Sequence, residues 1–93
     1  MKTDIREQNV KLLCRALTML RSEEECEAFL SDLCTDAEIS AMAQRLAVAA
    51  MISDGKKYDE IAEATGSSPA IISRVKRCMK NYERTGILDR IKE

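Results

Sequence analysis

The sequence predicts an all-α protein of about six helices. Apolar residues recur at helical spacing through most of the chain. Residues that start and stop helices punctuate those runs. No stretch alternates apolar and polar side chains as a half-buried strand would. At 93 residues the chain makes one domain. Its composition is 45% hydrophobic with only three aromatic residues, Phe29, Tyr58 and Tyr82, so the core must be aliphatic.

The first helix is expected from about Asp4 to Leu20. Val10, Leu13, Cys14, Leu17 and Leu20 form one apolar stripe, and Leu12, Ala16 and Met19 widen it beyond what one neighbour would cover. Arg21-Ser22 ends it. Ser22-Glu23-Glu24-Glu25 is a capping box, with acids placed at the positive end of the next helix. That second helix, about Glu23 to Leu33, carries Cys26, Phe29, Leu30 and Leu33 on one face. Thr35-Asp36-Ala37-Glu38 is a second capping box and opens the longest helix, about Asp36 to Ser53. Ile39, Met42, Leu46 and Ala50 make one stripe there; Ala41, Val48 and Ile52 make another on a different side. A helix apolar on two sides is covered on two sides. Asp54-Gly55 stops it, with Gly55 as the residue just past the end.

The stretch from Tyr58 to Arg77 reads as two short helices joined by a tight turn. Ile61, Ala62 and Ala64 place small apolar groups on the first. Gly66 makes the corner, where glycine is the cheapest residue at φ > 0. Ser67 and Ser68 are N-cap residues and Pro69 suits the first helical position, whose N–H has no partner anyway. Ile71, Ile72 and Val75 face inward, and small Ala62 allows close approach. Ser68, Ala70, Ser73, Arg74 and Arg77 are left outside. This is the helix-turn-helix pattern, whose second helix enters a DNA major groove. The plainer alternative is an αα-hairpin with a solvated basic face. Beyond Met79, breaks are expected at Asn81-Tyr82 and Thr85-Gly86, then a short last helix with Ile87, Leu88 and Ile91. The resulting division is residues 1–54 for dimerisation, 56–79 for the helix-turn-helix and 86–92 for the last helix.

Net charge is −1, but the charges are segregated. Seven acids and no base lie between Ser22 and Glu38; five bases (Arg74, Lys76, Arg77, Lys80, Arg84) and one acid lie between Ile71 and Arg84. A basic face confined to the candidate reading helix suits phosphate neutralisation. Serine and alanine can touch phosphate or a thymine methyl, and arginine can fork onto guanine. Lys56, Lys57, Lys76 and Lys80 suit phosphate contacts, while Arg74 is open between base, phosphate and ligand. The alternative from another class is a non-specific DNA-binding or protein-interaction adaptor.

No histidine and no CxxC spacing occur among Cys14, Cys26, Cys34 and Cys78, so reduced thiols in a cytoplasmic protein are expected, without metal. The N-terminal MKTDIREQNVKLL lacks the apolar run of a secretory leader, and no stretch is apolar enough to span a membrane. Nothing pairs a nucleophile with a base, so no enzyme is expected. The four non-reading helices carry more aliphatic surface than a body this small can bury, which predicts a homodimer. Two-fold symmetry then places half-sites roughly 34 Å apart.

Leu33 to Cys78 resembles the Trp repressor superfamily, and within it the Trp-repressor-like YerC/YecD branch. The carriers are the Thr-x-x-Glu box at Thr35, Gln44-Arg45-Leu46, the glycine at Gly55, Tyr58-x-Glu60-Ile61-Ala62 and Ala70-x-Ile72-Ser73-Arg74-Val75. The resemblance covers about half the chain strongly and the N-terminal helices loosely. It implies an intertwined helical homodimer with two helix-turn-helix heads that regulates transcription, most simply as a repressor. It also implies a pocket for tryptophan or another small co-repressor, with Arg45 and Arg74 holding the ligand and Thr35 near its amine. Val75 stands where the family has a glycine beside the indole, and Cys78 replaces a serine, which argues against tryptophan and for no cofactor. Arg45 has an alternative use, an ion pair with Asp54, Asp59 or another acid.

Overall fold

The computed structural model describes residues 4–92. Among these, seven helices and no strand are found: α1 (Ile5–Met19), α2 (Glu23–Leu33), α3 (Asp36–Ser53), α4 (Tyr58–Thr65), α5 (Pro69–Arg77), α6 (Met79–Thr85) and α7 (Ile87–Arg90). The chain divides into two compact units, one running up to Asp36 and one from Ala37 on.

In the first unit, Asp4 caps α1 by accepting from the Arg6 N–H at 2.9 Å. Ser22 caps α2 by accepting from the Glu25 N–H at 3.0 Å, the serine half of the box read from the sequence. Both helices therefore start where side-chain oxygens can satisfy orphan N–H groups. Neither helix buries a single residue. Ile5, Leu12 and Met19 are 60–71% exposed, and Leu13, Leu17 and Leu33 are also open.

The second unit holds the core. Val48 and Ala49 of α3 are fully buried, and Ile61 (α4), Ile72 and Val75 (α5) and Leu88 (α7) close around them. Ile52, Ala62, Ile71, Met79, Tyr82 and Ile87 pack at its edge. Four helices thus meet on aliphatic side chains, each large one contributing about 1.5–3 kcal/mol of burial. Of the two stripes read along α3, the side with Val48 is the buried one; Met42 and Leu46 remain exposed. Ala64 is exposed as well and does not join Ile61 and Ala62 inside.

α3 ends in a Schellman motif. The Gly55 N–H donates to the Ile52 carbonyl and the Lys56 N–H to the Met51 carbonyl, both at 3.0 Å, with Gly55 at φ +78°. The sequence expectation fails between α5 and α6. Asn81 and Tyr82 lie inside α6, and the interruption is at Cys78, φ −98° and ψ 5°. There the Cys78 N–H bonds the Val75 carbonyl and the Asn81 N–H bonds the Cys78 carbonyl, both i→i−3. A tightened turn at a residue with no glycine or proline leaves no mark in the sequence, so six expected helices become seven. The break at Gly86 is as read, with φ +65°.

Candidate nucleic-acid interface

The α4–α5 pair is built as the residues prescribe. Gly66 sits at φ +67°, ψ 20°, in the left-handed region, and its N–H bonds the Ala62 carbonyl at 2.9 Å. Ser68 Oγ accepts from the Ile71 N–H at 3.3 Å, and Pro69 occupies the first helical position. The turn between them is pinned at two further points. Thr65 Oγ1 lies 2.7 Å from both the Ile61 carbonyl and Ser67 Oγ, and Ser67 is a buried polar residue at 6% exposure. Glu60 reaches back to accept from the Lys57 N–H at 3.2 Å and steadies the start of α4.

With Ile72 and Val75 turned into the core, the opposite side of α5 is fixed. Ala70, Ser73 and Arg77, at i, i+3 and i+7, share that side and line one shallow groove with Lys76. Ser68, Arg74 and Cys78 are exposed, as are Lys56, Lys57 and Lys80. The candidate reading residues are thus brought together only in part. Ala70, Ser73, Lys76 and Arg77 form a common surface. Ser68 already spends an oxygen lone pair on the cap, leaving its proton to donate. Lys56 belongs to a separate recess with Met51, Glu60, Glu63 and Ala64.

The ion pairs found among the described residues are Lys11–Glu7 at 3.6 Å and Lys92–Asp54. Neither pair involves Arg74, Lys76, Arg77 or Lys80. Asp54 is held by Lys92 rather than by Arg45, which is exposed.

Of the residues expected around a small ligand, one belongs to the core. Val75 is 3% exposed and packs among Val48, Ala49, Ile61, Ile72 and Leu88. Arg45, Arg74 and Cys78 are exposed, and so is Thr35.

One contact had no assigned role in the sequence reading. Gln44 Nε2 of α3 donates to the Thr65 carbonyl at the end of α4, at 3.3 Å. Gln44 stood out only as part of a family motif. Nothing in a single sequence pairs a glutamine with a backbone carbonyl 21 residues away.

Comparison with known proteins agrees with this geometry. The family model described as Trp repressor protein matches residues 8–88. The uncharacterized protein YerC of Bacillus subtilis (strain 168) is 45% identical over 92 residues, spanning 96% of this chain and 88% of its own length. A crystal structure of a candidate Trp repressor from Staphylococcus aureus superposes with a TM-score of 0.84 at 41% identity, covering 98% of this chain and 96% of the other. A TrpR-like protein from Eubacterium eligens ATCC 27750 follows at 0.75 and 38%, covering 85% and 90%.

Proposed function

The chain belongs to the Trp repressor protein family, a family of DNA-binding regulators, and from that premise we propose that it is a sequence-specific, double-stranded DNA-binding transcriptional regulator acting as a homodimer, most simply a repressor. The observation that carries the reading is the outer side of α5. Ala70, Ser73 and Arg77 share one groove, opposite the buried Ile72 and Val75, flanked by cations that take part in neither ion pair found among the described residues. Such a helix offers short side chains where bases come close and long cations toward phosphates.

The exposed aliphatic residues of α1, α2 and α3 support the homodimer. Ile5, Leu12, Leu17, Met19, Leu33, Met42 and Leu46 remain 39–71% exposed in the single chain. A second copy would cover the rest and set two α5 helices on a two-fold axis. Val75, spent on the core, supports action without tryptophan. The valine seats α5 by itself, so DNA affinity should be unchanged when tryptophan is added. Among the described residues no helix is long and apolar enough to cross a membrane.

Selection of duplexes from a random pool tests the reading. A two-fold-symmetric site is expected, with half-sites about 34 Å apart and affinity that falls steeply with salt. Arg77→Ala should cost about 1–3 kcal/mol on the selected site, measured by titration at fixed salt. Binding to every duplex alike would instead favour the non-specific adaptor.

A further inference from the structure

We propose that Gln44 is a positioning residue for DNA reading, a brace from α3 that sets the angle at which α5 is presented. The inference rests on the assignment of α5 as the reading helix.

Thr65 is the last residue of α4, so its carbonyl is one of the four that no helical N–H can reach. Water or a side chain must satisfy it. Gln44 does so from another helix, at 3.3 Å, and both residues are half-buried. The partner atom is a carbonyl oxygen, which only accepts, so the amide must present its nitrogen; the orientation of the glutamine is fixed by chemistry. The bond is long and by itself weak. Its consequence comes from its place. The other side-chain hydrogen bonds at the head each close a turn of four residues or fewer: Thr65 with Ile61 and Ser67, Ser68 with Ile71, Glu60 with Lys57. They shape the corner but do not orient it on the body. The Gln44 bond spans 21 positions and is directional, whereas the aliphatic contacts of Ile61, Ile72 and Val75 allow sliding.

The surroundings make room for this. Ala37, Ser40, Ala41 and Ala43 of α3 line a shallow groove with Gln44 and Thr65. Apart from Gln44, the side chains lining it are small, so they offer little packing to the end of α4. The amide is the group that ties this edge of the head down. Direct readout needs bidentate contacts placed to within about an ångström, while phosphate contacts from flexible lysines tolerate a tilt. Loss of the brace should therefore erode sequence preference before it erodes affinity.

The test compares wild type with Gln44→Met, of similar volume but no donor, and Gln44→Glu, which sets a carboxylate against the carbonyl. Without DNA, amide hydrogen exchange between residues 66 and 71 should quicken roughly 3- to 10-fold in both variants, with α3 and α7 amides unchanged. With DNA, the ratio of affinities for the duplex selected by wild type and a scrambled duplex should fall roughly tenfold. Affinity for the scrambled duplex and its salt slope should stay within about twofold, since the phosphate contacts are untouched. Unchanged exchange overturns the proposal, as does an equal loss on both duplexes or no loss on either. Should wild type itself show no preference between duplexes, the DNA-reading assignment fails, and the exchange measurement alone decides whether Gln44 braces the corner. A variant that does not fold is recognised by collapse of α3 protection, and the other variant then carries the test.

Discussion

The two units of this chain solve the same problem in opposite ways. From Ala37 on, four helices bury Val48, Ala49, Ile61, Ile72, Val75 and Leu88 against one another. Up to Asp36, two well-capped helices have no buried residue, though α1 carries six large apolar residues, Ile5, Val10, Leu12, Leu13, Leu17 and Met19, with Leu20 adjoining. Caps decide where a helix begins; they supply about 1 kcal/mol each and cannot replace a core. The difference teaches where cooperativity within a chain ends. The head is held by its own side chains, whereas the N-terminal helices leave large apolar residues exposed, which is the basis of the homodimer proposed above.

The sharpest way to break that contrast is to damage each unit in turn. Ile72→Ala removes a residue that is 4% exposed and should cost about 2–5 kcal/mol, seen as a lower Tm at every protein concentration. Leu17→Glu, at a position 44% exposed in the single chain, should cost about 1.5–3 kcal/mol per subunit, but as weaker association in sedimentation equilibrium. Its Tm should fall most in dilute solution, because dimer stability depends on concentration. If both variants behave alike, the units are not distinct in the way their burial indicates.

The same contrast governs what the sequence disclosed. Wherever a feature is local, the residues announced it. Ser22 caps α2, Gly55 closes α3, Gly66 turns left-handed, and Ser68-Pro69 opens α5, because each depends on atoms within five positions. The inward Ile72 and Val75 and outward Ala70, Ser73 and Arg77 were legible for the same reason, since helical period alone separates them. Three things were not. The kink at Cys78 rests on a switch to i→i−3 bonding that no residue type demands. Ala64 is exposed beside half-buried Ala62, and residue type alone does not separate two alanines on one short helix. And the Gln44–Thr65 bond joins two helices whose approach is set by the aliphatic core, not by either residue.

A smaller effect separates conformational strain from contact within the head. A Cβ added at Gly66 meets nothing within 4 Å, so Gly66→Ala tests the left-handed backbone alone. The expected cost is about 1–2 kcal/mol, read by chemical denaturation with an unchanged m-value. Gly55→Ala, also at positive φ in open space, should cost a similar amount while leaving the α4–α5 corner intact. Only Gly66→Ala should then weaken DNA binding beyond its effect on stability.

The smallest expected effect concerns the last described residue, Lys92, which pairs with Asp54 in the loop that ends α3. Its pKa is raised above the ordinary lysine value, chiefly because the Asp54 carboxylate accepts a hydrogen bond from its ammonium group, with Coulombic attraction to Asp54 and Asp89 adding to it. A cation whose pKa is raised by folding stabilises the folded form while both states are protonated. That contribution is complete at neutral pH and is lost only as pH climbs from the unfolded lysine value through the raised one. Lys92→Met should therefore lower Tm slightly at pH 7, and the difference from wild type should vanish well above the lysine range. High salt should shrink it too, because the pair is open to solvent. A difference that persists at high pH would mean that the stem of Lys92, not its charge, holds the chain end beside the Asp54-Gly55 loop.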